Sequence, residues 1–385
     1  MKKRRIGLLT GGGDVPPLNA VIEAVRKKCV ENNFELVGFM EGWEGIIKNN
    51  YLGLNNIQID SQIGGTILRS SRLNIAKVSD IQSNILSPLL KMELEGLIVI
   101  GGEDTLPNCF HIKEFPQILI SKTIDNDVGV VTEEKILNYF TLGHPTAAEK
   151  IATFVSLNDG LRTTAYSHNR IMVVESMGMH AGWLAMASEF GDPDFIIIPE
   201  FPLNYNEFKE LVIKKYQKQK NLIIVISEGA KWDNGEYISA NENEKDEFNH
   251  PRFKGSASIL STRLKTDLKS YFDTRNINYV NPSYLYRSGS PNELDVTCAS
   301  LLGEQAFFEL SNKLSESIFL SLKDNSDNFE VESIPITKLG SMEDFHRFVP
   351  NSFYDEKKLR PTDQYRKYLS KINFKNKKIK YGLEK

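Results

Sequence analysis

The chain has 385 residues, enough for two core-bearing lobes, with 41% apolar and 25% charged residues as in ordinary water-soluble proteins. A formal net charge of −3 gives no basis for nucleic-acid or anionic-membrane binding, and no uninterrupted apolar stretch approaches the roughly 18 residues of a membrane span. Cys29, Cys109 and Cys298 are scattered and lack metal spacing, which fits core thiols in a reducing cytoplasm.

In chain order, Met1-Lys2-Lys3-Arg4-Arg5 is a basic start, and Gly11-Gly12-Gly13-Asp14 interrupts any signal-like apolar core behind it. Residues 5–9 read as a first buried strand, Thr10–Asp14 as its turn, and a helix begins at Pro17 with Leu18, Val21, Ile22 and Val25 on one face. Strand, glycine turn and helix cradle phosphate, and the absence of Gly-Lys-Ser/Thr excludes a Walker loop. Glu35–Met40 reads as a second strand and Gly42–Gly45 as a loop. In Gly64-Gly65-Thr66-Ile67-Leu68-Arg69-Ser70-Ser71-Arg72, an arginine among serines after a glycine turn is a candidate phosphate clamp.

Two short β-branched runs follow, Gly96–Ile100 and Ile118–Ile120, the pattern of parallel strands buried on both faces. The first ends in Gly101-Gly102-Glu103-Asp104-Thr105 and the second in Ser121-Lys122-Thr123-Ile124-Asp125-Asn126-Asp127. Ligands bind at such strand ends in open α/β sheets. Glycines admit a phosphate, and Pro107 suits the first turn of a helix whose N-terminus favours an anion. Carboxylates beside a phosphate make sense if Mg²⁺ lies between them or if one of them takes a proton. Together the two ends read as phosphoryl transfer.

A long helix opens at Phe140–Ala148. Ser167-His168-Asn169-Arg170 precedes the strand Ile171–Glu175, followed by Met177-Gly178-Met179-His180. His168 and His180 read as structural. Phe195–Glu200 and Asn221–Ser227 are further strands, and Glu228 stands at the end of the latter, where a carboxylate can accept hydrogen bonds from sugar hydroxyls. Asn241–His250 reads as a polar surface loop, followed by a helix over 254–267. Asn281-Pro282-Ser283-Tyr284-Leu285-Tyr286-Arg287 leads to Asp295 and a helix through Ala306. Residues 356–385 hold eleven Lys/Arg against three Asp/Glu, the composition of a solvated tail or helix face.

Gly-Gly-Glu-Asp-Thr and Lys-Thr-Ile-Asp-Asn-Asp resemble the phosphofructokinase family. The resemblance runs over about residues 5–310, through Gly12–Ala20, Gly64–Arg72, Met177–Gly178 and the Pro-Ser-Tyr-x-x-Arg motif. Alternating strands and helices predict an α/β fold with largely parallel sheets, and the resemblance implies two Rossmann-like lobes. A donor lobe would comprise 1–136 plus 281–310, and a sugar-phosphate lobe 137–280 plus 311–355, leaving 356–385 as a basic tail. The implied reaction is Mg²⁺-dependent phosphoryl transfer to the 1-hydroxyl of fructose 6-phosphate.

By resemblance, Asp125 is the base, Arg72, Thr123 and Lys122 serve the transferring group, and Glu103 and Asp127 hold Mg²⁺. Gly13, Arg72, Gly102, Glu103, Asp104, Thr105 and Lys122 would bind the donor. Thr123, Asp125, Arg170, Met177, Gly178, Met179, Glu228, Tyr284 and Arg287 would bind the sugar phosphate. The family's Arg170 equivalent reaches across from a neighbouring subunit, implying a homodimer or homotetramer.

Departures from the family pattern are Pro17 and Arg69 where glycine is usual, His144-Pro145, and Met179 where arginine is usual. An upstream arginine falls at Asn278, or at Arg275 if there is a short insertion. Asp104 and Lys122 are the residues of pyrophosphate-using relatives, whereas glycine at both is common in ATP-using ones. Pyrophosphate is therefore the expected donor, with ATP, another sugar phosphate, or retention for binding as alternatives.

Overall fold

The structure is a computed structural model that describes residues 3–129, 136–240, 255–326, 328–339 and 346–372. The expected loop Asn241–His250, Lys254 of the expected 254–267 helix, and the far end of the basic tail lie outside the described residues. In chain order the principal strands are β1 (Arg4–Thr10), β2 (Phe34–Phe39), β3 (Tyr51–Gly53), β4 (Leu94–Gly101), β5 (Gln117–Ser121), β6 (Ile171–Ser176), β7 (Phe195–Ile197), β8 (Leu222–Ser227), β9 (Ile277–Val280), β10 (Ile318–Asn325) and β11 (Asn328–Pro335). Each apolar run predicted as a strand contains one, because strands covered on both faces need apolar side chains at every position; β7 stops at Ile197, short of the expected Glu200, and the expected loop Gly42–Gly45 instead opens the short helix Trp43–Ile47.

The chain divides into two compact units, residues 1–146 with 287–347, and 147–286 with 348–385. Among the described residues the first unit holds a seven-stranded sheet in the order β11-β10-β5-β4-β1-β2-β3. β2, β1, β4, β5 and β10 run parallel, and the outer strands β3 and β11 are antiparallel. Thr10 pairs with Ile100, and Gly101 with Ser121, so the carboxyl ends of β1, β4 and β5 finish level. That register brings the turns after 10, 101 and 121 to one edge. The helix Glu293–Ser311 begins at Asn292, whose side chain accepts the Asp295 N–H, a cap that stabilises by about 1 kcal/mol.

Among the described residues the second unit has a four-stranded parallel sheet in the order β7-β8-β6-β9. Ser176 pairs with Ser227, and Val174 with Val280, which aligns the turns after these strands in turn. Here Glu175 is buried, its carboxylate accepting the Ala257 N–H at 2.9 Å and the Asn281 amide at 2.7 Å. Burial raises its pKa, reinforced by the charge of Glu228.

The expected lobe boundaries need correction, beginning with 137–146, which belong to the first unit and not the second. Residues 318–335 belong to the first unit, since Ile318–Leu320 of β10 pair with Ile118–Ile120 of β5. Residues 281–286 belong to the second, where the Tyr286 hydroxyl donates to the Glu175 carbonyl. Nor is 356–372 a separate tail. Tyr365 and Tyr368 of the helix Asp363–Ser370 pack with Trp183 and Phe353, while Arg360 and Arg366 both bind the buried Glu189 at 2.8 Å. The lysines and arginines of that stretch made it look solvated. Its aromatic residues place it. The three cysteines are buried free thiols, each with its pKa pushed up by burial, as core thiols should be.

Candidate active site

In the first unit the turn after β1 is pinned by backbone bonds from Gly11 N–H to the Ile100 carbonyl (3.0 Å) and from Gly12 N–H to the Ser71 carbonyl (2.8 Å). Gly12 has φ +79°, and a Cβ there would lie 3.0 Å from the Lys122 Nζ, so the lysine is seated because this residue has no side chain. The 66–71 loop packs on the same turn, with Thr10 Oγ1 donating to the Arg69 carbonyl (2.8 Å) and Ser70 Oγ to the Gly12 carbonyl (2.6 Å). Arg69 sits at φ 58°, which explains why a glycine suits this position, and its exposed side chain reaches Glu41 at 3.6 Å. Arg72 is exposed.

Lys122 is the centre of this cluster. It is 2% exposed, and its ammonium donates to the Gly13 carbonyl. Burial lowers its pKa to about 8; Arg287 and Arg72 press the same way, against Asp14 and Asp127. The Arg287 Nε lies 3.4 Å from Asp14. Arg287 is thus part of the first unit beside Gly13, whereas the resemblance grouped it with the sugar-phosphate contacts. Asp14 carried no assignment in the sequence reading. Its signal was its place at the end of the glycine turn.

After β4, Gly102 and Glu103 are half-buried and Asp104 is exposed, leading into the short helix Leu106–His111. Thr105 is buried, its side chain packed against Gly11 and Gly101, so it braces two strand ends. Glu103 lies 3.5 Å from the His346 imidazole.

The loop after β5 is braced along its length. Thr123 Oγ1 accepts the Asp125 N–H (3.1 Å), Thr141 Oγ1 donates to the Thr123 carbonyl (2.6 Å), and the Asn126 side chain accepts the Thr141 N–H (3.0 Å). Asn126 adopts φ 57°, which asparagine tolerates. The departure at His144 has a function here. Fully buried, its Nδ1 donates to the Ile124 carbonyl at 2.8 Å, and burial pushes the imidazole down to about 3, so it is neutral. Asp295, also fully buried, accepts the N–H groups of Gly143 and Thr146 at 2.9 Å, satisfying the start of the helix His144–Val155.

Glu103 and Asp127 supply the hard oxygen ligands that Mg²⁺ takes, and Asp127, 8% exposed, is close enough to raise the pKa of Lys122. Among the described residues no group of three His, Cys, Asp or Glu forms a metal cage. Mg²⁺ needs none, since one or two carboxylates commonly hold it with phosphate oxygens and water. The residues present fit that ion.

In the second unit, Arg170 precedes β6, its guanidinium donating to the Thr164 hydroxyl at 2.5 Å. Glu228 Oε1 accepts the Gly178 N–H at 3.1 Å, and Ser227 Oγ donates to the Gly178 carbonyl at 2.8 Å. Met177 and Met179 are half-buried. A Cβ on Gly229 would fall 1.9 Å from the Met179 carbonyl, so glycine is required where these two turns touch. Tyr284 is exposed. Arg275 is bound to Asp273 at 2.8 Å and Asn278 lies in β9 paired with Met172. His168 and His180 are both exposed.

Aligned parallel strands ending in a glycine turn, a buried lysine and flanking arginines and carboxylates define an α/β protein built to bind and move phosphate. Residues 5–310 match the family described as Phosphofructokinase. A relative from Dictyoglomus thermophilum named pyrophosphate–fructose 6-phosphate 1-phosphotransferase is 35% identical over 331 residues, 84% of this chain and 91% of the relative. An ATP-dependent 6-phosphofructokinase from Mycobacterium leprae is 33% identical over 310 residues, 78% of this chain and 86% of the relative. The solved structure of a pyrophosphate-dependent phosphofructokinase from Marinobacter aquaeolei shares the fold, with TM-score 0.78 at 17% identity over 99% of this chain and 94% of that one. The chain belongs to the phosphofructokinase family and is a phosphotransferase. Among the described residues no helix is long and apolar enough to cross a membrane.

Proposed function

We propose that the protein transfers a phosphoryl group from inorganic pyrophosphate to the 1-hydroxyl of fructose 6-phosphate, giving fructose 1,6-bisphosphate and phosphate, in the cytoplasm. The observation that supports this donor is Lys122, held against Gly13 among Asp14, Arg72 and Arg287. A buried ammonium pairs best with a compact ligand of high charge density. Asp104 stands exposed at the neighbouring strand end, where its carboxylate would repel an α-phosphate and fill the space of a nucleoside. Disfavouring the larger donor by bulk and like charge gives selectivity that attraction alone would not. ATP is the second reading, and the Mycobacterium leprae relative, named as ATP-dependent, favours it.

In this reading the first unit binds the donor and the second the sugar phosphate. Asp125 takes the hydroxyl proton, while Thr123, Arg72, Lys122 and Arg287 oppose charge on the phosphoryl group, so catalysis rests on positioning and electrostatics. Glu103 and Asp127 would hold Mg²⁺, which supplies charge neutralisation on the phosphates when bound. Arg170, Met177, Gly178, Met179, Glu228 and Tyr284 position the sugar phosphate. Arg170 would act on a neighbouring subunit's substrate, making the enzyme at least a homodimer.

The test compares kcat/KM for pyrophosphate and ATP at fixed Mg²⁺ and saturating fructose 6-phosphate, in wild type and Asp104→Gly. Wild type is expected to favour pyrophosphate, and the variant to gain relative ATP activity. Preference for ATP in wild type, or no relative gain in the variant, overturns the donor assignment.

A further inference from the structure

Arg347 lies beyond residues 5–310, the stretch that matches the family. It is 1% exposed. Its guanidinium donates to the carbonyls of Asn138 (2.6 Å) and Tyr139 (2.7 Å), and its backbone N–H donates to the Asp127 carbonyl (2.8 Å).

The groups it joins differ in kind. Residues 138 and 139 are fixed to the sheet. The Asn138 amide donates to Ser121 Oγ at 3.0 Å and accepts the Leu322 N–H at 2.9 Å, while the Tyr139 N–H donates to the Leu322 carbonyl at 2.7 Å. Asp127, by contrast, sits on the loop that carries Asp125. The adjoining residue His346 continues the contact, forming an antiparallel bridge to Val128. One short segment therefore ties the loop to the frame at 127, 128, 138 and 139.

The choice of arginine is informative. Burying a charge is expensive unless it is hydrogen-bonded, and an apolar side chain would fill the same volume without that penalty. A planar guanidinium fork can serve two successive carbonyls at once, which a lysine ammonium cannot do in the same geometry.

We propose that Arg347 is the positioning residue of the 123–128 loop, holding Asp125 and Asp127 in their working places without touching substrate. The proposal rests on the reading of Asp125 as the base. A displacement of about 1 Å in a reacting group can lower a rate about 100-fold, so loss of this clamp should appear in kcat.

The experiment measures kcat, KM for fructose 6-phosphate and urea unfolding for wild type, Arg347→Met, Arg347→Lys, Asp125→Asn and Ile334→Ala. Ile334 is a buried residue of β11 outside the site and serves as a control for destabilisation alone. Arg347→Met is expected to lose about 30-fold in kcat with KM within about threefold of wild type. Arg347→Lys should recover part of the loss, and Ile334→Ala should keep its kcat although less stable. Folded Arg347→Met or, if that variant does not fold, folded Arg347→Lys with wild-type kcat overturns the proposal. So does an equal kcat loss in Ile334→Ala. Asp125→Asn separates the two ideas, since a variant keeping more than about a tenth of the turnover refutes the base itself, whatever Arg347 does.

Discussion

Replacing Lys122 by methionine should make the free protein more stable and, with pyrophosphate as the proposed donor, abolish turnover. Burial brings the lysine's pKa from 10.5 to about 8, so at neutral pH its charged form is about 3 kcal/mol less favourable folded than unfolded. Methionine has similar length and no charge, and removes that penalty. It also forfeits the hydrogen bond to the Gly13 carbonyl, worth about 1 kcal/mol, though Gly13 is half-buried and water can replace the donor. The net gain is about 2 kcal/mol at pH 7. The pH dependence gives the argument its sign. A lysine whose folded pKa is depressed destabilises in full below about pH 8, and the penalty fades as pH rises towards 10.5, where the unfolded chain also loses its proton. At pH 9.5 only about 1 kcal/mol of the penalty remains, and the gain from Lys122→Met shrinks to near zero. Urea unfolding of both proteins at pH 7 and 9.5 measures this directly. Saturating pyrophosphate should then stabilise wild type, by about 2.7 kcal/mol at 100 times Kd, and the variant far less. A variant less stable than wild type by the same amount at both pH values would refute the reasoning, since Lys122 would then be an ordinary structural residue.

Three further outcomes follow from the geometry. Met179→Arg should raise turnover on fructose 6-phosphate, because a guanidinium there can stabilise phosphate charge; the backbone contact with Gly229 is untouched, and steady-state kinetics showing a neutral or harmful effect would mean the pocket is rebuilt around methionine. Arg170→Ala should raise KM for the sugar phosphate by about 10- to 100-fold, more than KM for the donor, through loss of a charge-assisted contact; light scattering that finds an active monomer would rule out action across an interface. Asp295→Ala should destabilise by about 3 kcal/mol in urea unfolding, because it strands the buried Gly143 and Thr146 N–H groups, and a loss under about 1 kcal/mol would contradict that role.

The strands that carry these turns in each unit were legible because residues such as Leu97–Ile100 and Ile223–Ile226 are apolar on both faces, and their ends change abruptly to glycine, charge and hydroxyl. The braces around those ends were not. The packing of the Thr105 side chain on Gly11 and Gly101 could not be read locally, since only the register of β1 against β4 brings them together. His144 stood out only as a departure, and its purpose emerges from a carbonyl twenty residues earlier. β11 alternates like any half-covered strand, Phe319–Leu322 of β10 are buried throughout, and nothing local says that β10 joins β5, whose sequence lies some 200 residues before it.

That pairing decides what kind of strand β5 is. Without β10 it would be a sheet edge, with a row of unpaired N–H and C=O groups and the freedom that edges have. Pairing Ile118–Ile120 with Ile318–Leu320 makes β5 interior, and β5 leads directly into Lys122, Thr123, Asp125 and Asp127. The same C-terminal stretch returns through His346 and Arg347 to hold the far end of that loop. The loop is thus fixed at its start by strand pairing and at its end by a backbone clamp, both supplied from beyond residue 310. Catalysis that works through fixed charges needs groups that do not reorganise as the phosphoryl group moves. Here the contacts that brace that loop come from residues distant in sequence, which the motif itself does not contain.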